Sequence, residues 1–228
     1  MSALHSLLQR DTLAVRCLTR YIPLYGLQDH LFAPEADSMY GKYHVTYVDP
    51  TGFDDIAEGR SRPGHFRGVA TVVTKLFNIV QPTNAYFGQK DAAQCVLIRR
   101  IVEDLNMDLI INVMDTIREA DGLAMSSRNA YLTPEERPVA PIVYKSLCAA
   151  RDAYLAKRNG GELPMQASLL SQTVCDVLKS EPLVSEVQYA SVDNRATFQP
   201  LSEVDEEGAV ISLACKVGSV RLIDNIVL

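Results

Sequence analysis

Between His65 and Met114 the apolar residues fall into four blocks of alternating period, and that succession restricts the fold more than any other feature. From His65 to Gln81, Val69, Val72, Val73, Leu76, Phe77 and Val80 recur at helical spacing. The spacing predicts a helix with one broad buried stripe, which Pro82 stops because its ring removes a donor and clashes with the preceding turn. Ala85-Tyr-Phe87 then reads as a short apolar strand broken by Gly88. A second helix is predicted from about Asp91 to Leu105, with Val96, Leu97, Ile101 and Leu105 inward, and Leu109–Met114 is a second strand. Short strands joined by a crossover helix imply an α/β fold with a parallel sheet and right-handed connections.

The flanks are less regular. Residues 1–27 lack periodicity and strong caps, so no element is assigned there. Residues 28–60 read as loops and short strands, with Phe32–Pro34 and Tyr43–Val48 extended. After Thr133 the chain is predicted helical over 134–157, breaks at Asn159-Gly-Gly161, and is helical again over about 165–179. Val187–Val192, Ala209–Lys216 and Val220–Leu222 read as strands. The expected organisation is a partial Rossmann-like domain over 1–130 and a small C-terminal α+β domain over 131–228, hinged near residue 130.

Charge narrows the partners. The net charge of -6 repels a phosphate backbone, and no Lys/Arg run offsets it, which excludes nucleic acid. No apolar run is long enough to span a bilayer as a helix, so a membrane location is not expected. Five scattered cysteines (Cys17, Cys95, Cys148, Cys175, Cys215), never spaced C-x-x-C, point to free thiols in a reducing compartment. The expectation is cytoplasmic. Arg10, Arg16 and Arg20 against the single acid Asp11 give a faint mitochondrial alternative. His5, His30, His44 and His65 show no metal-ligand spacing, so no protein-held metal site is expected.

Three stretches carry chemistry. In Ala85-Tyr-Phe-Gly-Gln-Lys-Asp91 a strand ends at a glycine and a helix begins, so unsatisfied helix amides and the helix dipole favour an anion. Gly88 allows a tight turn and close phosphate approach, Lys90 adds a mobile cation, and Gln94 lies one helical turn beyond Lys90. A polar surface turn capped by Asp91 fits the same residues. Asp121-Gly-Leu-Ala-Met-Ser-Ser-Arg-Asn129 follows the next strand, at the edge where open α/β sheets bind ligands. Its two hydroxyls and guanidinium can serve oxyanions, or Ser127 can simply start a helix. Arg60, Arg62, His65 and Arg67 crowd the Pro63-Gly64 turn, either as a triphosphate clamp or as a solvated basic turn.

Taken together, these stretches resemble the pantothenate synthetase (pantoate–β-alanine ligase) family. The resemblance rests on Ser61-Arg-Pro-Gly-His-Phe-Arg-Gly-Val-Ala-Thr-Val-Val73, Leu76–Val80, Ala85–Asp91 with Gln94, Arg118–Asn129, Tyr131-Leu132, Glu135–Arg137 and the terminal Val220-Arg-Leu-Ile-Asp-Asn-Ile226. It covers about residues 31–228. It implies an incomplete Rossmann-like nucleotidyltransferase sheet and an ATP-dependent reaction through pantoyl adenylate, which β-alanine converts to pantothenate. It further implies ATP contacts at Gly88, Gln89, Lys90, Asp91, Ile117, Met125, Ser126, Ser127 and Arg128, and a pantoate contact at Gln94. Arg62 and His65 fall beside the substrate. Mg2+ accompanies the triphosphate, and a homodimer is the usual assembly.

The sequence also departs from the family. The N-terminal Pro-Thr-Met-Gly-x-Leu-His-x-Gly-His element and the later Asn-Pro-x-Gln-Phe are not found. Met1-Ser-Ala-Leu-His5 echoes the first, but Leu8 stands where its second histidine belongs, so no catalytic residue is assigned. The expectation is a shortened relative with lost ladder partners, low stability and little ligase activity of its own. A different nucleotidyltransferase, or a non-catalytic dimerisation or regulatory partner that keeps the synthetase fold, are the other readings.

Overall fold

A computed structural model of the chain describes residues 32–228. The expectations for residues 1–27, including the arginines near the N-terminus and His5, lie outside the described residues.

The helical stripe forms where the spacing placed it except at its end: Val80 is exposed, and so is Leu105, expected on the inner face of the next helix but lying just past its end. Following α1 (Ala36–Met39) and α2 (Ala57–Ser61), helix α3 spans His65–Val80 and buries Phe66, Val69, Ala70, Val73 and Phe77. Gly64 precedes it at φ +73°, a left-handed backbone that favours glycine and lets the chain enter the helix directly after Pro63. Strand β1 (Asn84–Gly88), helix α4 (Ala92–Asp104) and strand β2 (Ile110–Met114) follow. β1 and β2 pair in parallel, from Asn84 opposite Ile110 to Gly88 opposite Met114. Ala85, Phe87 and Ile111 pack onto the core of α3 and α4, while Tyr86, Ile110 and Met114 are exposed.

The C-terminal part is built from α5 (Ile142–Asn159), β3 (Met165–Gln166), α6 (Ala167–Lys179), β4 (Val184–Asp193), β5 (Glu203–Val204), β6 (Val210–Val217) and β7 (Val220–Val227). β4, β6 and β7 form an antiparallel sheet in that order, with β6 central and almost wholly buried. β3 pairs with β5. Helices α5 and α6 pack on each other and on this sheet. Buried apolar residues gather in two clusters, one around α3 and α4 and one around α5, α6 and β6.

Two expectations need correction. Residues 32–60 contain no strand: Tyr43 and Val45 are largely exposed, and the Val48 amide bonds the Thr71 hydroxyl rather than a ladder partner. The helix expected over 134–157 begins only at Ile142. Thr133 and Glu136 do make a reciprocal capping box, the Thr133 amide donating to Glu136 Oε2 and the Glu136 amide to Thr133 Oγ1. Pro138 and Pro141 then withhold amide donors, so turns replace the first two helical turns.

Candidate active site

The strand-to-helix turn is formed as the sequence implies, though not for the reason given. Gly88 has an ordinary extended backbone (φ -82°, ψ 133°), so no tight turn requires a glycine there. A Cβ at Gly88 would meet nothing within 4 Å, which leaves open space beside the turn for a ligand. Gln89–Asp91 make one 3-10 turn, and Asp91 then sits at the α4 N-cap without bonding its amides through its side chain. The helix start therefore keeps donors and positive dipole for an anion. Lys90 is half-buried beside it, and among the described residues its ammonium has no ion-pair partner.

The second stretch folds into a hairpin. Arg118 and Ala124 bridge, the Met125 amide donates to the Ile117 carbonyl at 2.9 Å, and Gly122 turns the chain at φ +94°. Asp121 steadies that turn by accepting the Leu123 amide. Beyond the hairpin Ser126, not Ser127, is the cap: its hydroxyl accepts the Arg128 amide at 3.2 Å at the start of a 3-10 turn, Ser127–Tyr131. Ser127 is left exposed.

Of the basic residues expected to make a clamp, two face the cleft. Arg62 Nη1 lies 2.9 Å from His65 Nε2. A guanidinium only donates, so Nε2 accepts and the imidazole proton sits on Nδ1. That Nδ1 is buried and has no hydrogen-bond partner among the described residues. Burial first, and then the Arg62 charge, push the His65 pKa down to about 4, so the ring is neutral at physiological pH. Arg60 instead donates to the Asp55 carbonyl, and Arg67 stacks on the Tyr47 ring at 4.1 Å with Asp49 at 3.8 Å. The four-residue clamp is thus reduced to Arg62 and His65, because Arg60 and Arg67 project from other sides of their helices.

Strand β7 closes the arrangement from the C-terminal side. Arg221 pairs with Glu58 at 2.6 Å, and Tyr189 of β4 donates to the same carboxylate at 3.0 Å. Burial alone would raise the Glu58 pKa. The hydrogen bond and charge of Arg221, the Tyr189 hydroxyl and the Arg62 charge outweigh it, and the pKa is lowered. Asp224 makes a two-pronged ion pair with Arg118 at 2.6 and 3.0 Å, and the Arg118 guanidinium lies 3.6 Å over the Tyr144 ring. Asn225 bonds the 89–90 turn.

Two adjoining open clefts result, sharing Lys90, Ile223 and Asp224. Ser126 and Arg128 line the smaller. Arg62, His65, Asp91 and Gln94 line the larger. The remaining sequence candidates Gly88, Gln89, Ile117, Met125 and Ser127 line neither cleft. They stand on the flanking turn and hairpin, and Gln89 gives its side-chain amide to Asn225. Sequence reasoning did not single out Glu58, Tyr189, Arg221, Asp224 or Asn225 as site residues. One signal was present: an eight-residue apolar strand that carries Arg, Asp and Asn must have partners for them.

Cations and helix amides converge where the parallel strands end, an arrangement that marks the class of α/β proteins with an anion-receptive sheet edge. Residues 24–227 match the family model for pantoate-beta-alanine ligase. The pantothenate synthetase of Chloroflexus aggregans is 48% identical over 197 residues, covering 86% of this chain and 69% of the relative. That of Herpetosiphon aurantiacus is 48% identical over 200 residues, 88% of this chain and 70% of the relative. The crystal structure of pantothenate synthetase from Thermus thermophilus aligns with a TM-score of 0.79 at 38% identity, over 96% of this chain and 74% of that one. A Francisella tularensis pantoate-beta-alanine ligase, crystallised with beta-gamma ATP and beta-alanine, aligns at 0.62 and 31% identity, over 96% of this chain and 69% of that one. The chain belongs to the pantoate–β-alanine ligase family, with its nucleotidyltransferase fold. No helix among the described residues is long and apolar enough to cross a membrane.

Proposed function

We propose that this chain binds ATP and pantoate in its two adjoining clefts and serves the family's ligation of pantoate with β-alanine. The observation that carries this reading is Lys90. It lines both clefts, facing Ser126 and Arg128 in one and Gln94, Arg62 and His65 in the other. A mobile ammonium at that junction lies where a carboxylate would meet an α-phosphate.

In the first step a pantoate carboxylate oxygen attacks the α-phosphorus, the bond to the β-phosphate oxygen breaks, and pyrophosphate leaves. In the second, the β-alanine amine attacks the acyl carbon, AMP departs with its oxygen, and the amine loses a proton. Charge builds on phosphate oxygens in the first step, so fixed donors and cations stabilise it more than any protein nucleophile could. Lys90 and Arg128 take the α-phosphate oxygens in this reading, with Ser126, Ser127 and the Gly88–Asp91 turn orienting the phosphates. The hairpin at Ile117 and Met125, closed by the hydrogen bond from the Met125 amide to the Ile117 carbonyl, lies beside the base in this reading. Gln94, Arg62 and His65 take pantoate.

Magnesium enters as part of the ATP substrate. Phosphate oxygens are its natural ligands, since Mg2+ is held mainly through substrate phosphates and water. A hinge near residue 130 between the two core clusters, a homodimer and a cytoplasmic location belong to the same reading. Isothermal titration tests its core. ATP and pantoate each give binding heat with the unaltered chain, and Lys90→Ala weakens ATP by at least about tenfold, as loss of a charge-assisted contact should. Absence of heat for both ligands would sink the proposal.

A further inference from the structure

Asn225 lies on β7, far from the phosphate turn in sequence, yet its side chain ends in that turn. It is 4% exposed. Its amide nitrogen donates to the carbonyl of Gln89 and to the carbonyl of Lys90, each at 2.9 Å. Its side-chain oxygen accepts the Gln89 side-chain amide at 3.2 Å. A primary amide carries two hydrogens, so both are committed to these two carbonyls, and the orientation of the group follows from its partners. The next residue back is equally committed. Asp224 accepts the Asn225 backbone amide at 2.8 Å while holding Arg118 at the base of the hairpin.

We propose that Asn225 is a positioning residue that sets Lys90 by gripping the carbonyls of Gln89 and Lys90, one on either side of the Lys90 Cα. The inference deepens the ATP-binding reading and rests on it for its consequence. The grip matters because a 3-10 turn ahead of a helix has weak hydrogen bonding of its own. The flexible stem of Lys90 can deliver its charge reproducibly only from a fixed backbone. Through Asp224 and Arg118, the same strand holds the hairpin. One element of the C-terminal sheet thereby sets the spacing between the two phosphate-side loops.

The test uses backbone 15N relaxation on the ligand-free chain together with ATP titration. In the unaltered chain the amides of Gln89, Lys90 and Asp91 have order parameters near about 0.85, the rigid range. Asn225→Ala lowers them below about 0.6, while the β6 amides Val210–Val217 stay rigid. The isosteric Asn225→Asp, which fills the same space but turns an oxygen toward two carbonyls, does the same. ATP affinity falls about tenfold in Asn225→Ala, and by less than about twofold when the change is made on Lys90→Ala. Unchanged order parameters in both variants, loosening that spreads through β6, or additive losses with Lys90→Ala would each overturn the proposal. If the unaltered chain gives no ATP heat, the functional reading fails, and the order parameters alone decide whether Asn225 fixes the turn.

Discussion

Arg221 and Glu58 face each other at 2.6 Å across 163 residues of chain, one from the last strand and the other from the short helix ahead of the Pro63-Gly64 turn. Both are largely shielded, and the carboxylate also takes Tyr189 and, more loosely, Arg62 at 3.4 Å. The pair thus ties the C-terminal sheet to the helix that leads directly into the cleft residue Arg62.

Cutting this tie from one side should be costly. Arg221→Ala leaves a buried carboxylate short of its main cation, and the expected loss is about 3 kcal/mol in urea unfolding. Glu58→Gln combined with Arg221→Ala should lose less than Arg221→Ala alone. Because the Glu58 pKa is lowered on folding, its contribution is present above the ordinary carboxyl range and lost as pH falls through the folded value. Arg221→Ala should flatten that acid limb.

Gln94 lines only the larger cleft. Gln94→Ala should weaken pantoate by about fivefold to a hundredfold, the worth of one or two ligand hydrogen bonds, and leave ATP within about twofold. Calorimetry with each ligand separately checks the split. Equal losses for both would place Gln94 elsewhere in the chemistry.

Two shielded groups should pull the pH dependence of stability in opposite directions. The His65 pKa is about 4, against an ordinary 6.5, so the unfolded chain takes the proton first. Its contribution is held above about pH 6.5 and is lost as pH falls toward 4. Burial raises the Asp193 pKa to about 6, with the Ser191 and Ser212 hydrogen bonds only partly opposing it. There the folded chain takes the proton first, so that contribution is present below the unfolded value of 3.8 and lost as pH rises through about 6. Relative to His65→Gln, the unaltered chain should lose stability between pH 6.5 and 4. Relative to Asp193→Asn, it should gain over pH 7 to 4. Proton NMR of the His65 ring should show no titration above about pH 5.

Gly122→Ala should loosen the hairpin. Its φ of +94° disfavours any side chain, and a Cβ would come within 2.8 Å of Tyr144 Cδ1, on the ring that stacks against Arg118. A loss of about 1–3 kcal/mol is expected, together with weaker ATP binding. Chemical denaturation and titration of the same sample measure both.

The helix at His65–Val80 and the two parallel strands were legible because their signals are local. An apolar residue every third or fourth position, and the prolines and glycines between blocks, act over a single turn. The same locality misled elsewhere. Pro138 and Pro141 overrode an Ala/Leu-rich helical composition, and Arg60 and Arg67 are near Arg62 in sequence but point to Asp55, Asp49 and Tyr47. Gly88 has the local context of a turn glycine, whereas the backbone there is extended.

By itself, the sequence determined the family, the order of the main helices and strands, and the three stretches able to meet phosphates and a small acid. Each depends on residue type and near-neighbour spacing. Only the tertiary structure decided that β7 would enter the site with Arg221, Asp224 and Asn225, and that Lys90 would sit where two clefts join. Those contacts close loops of more than a hundred residues. Their partners are chosen by packing of whole layers and by the need of buried polar groups for hydrogen bonds, which no local pattern encodes.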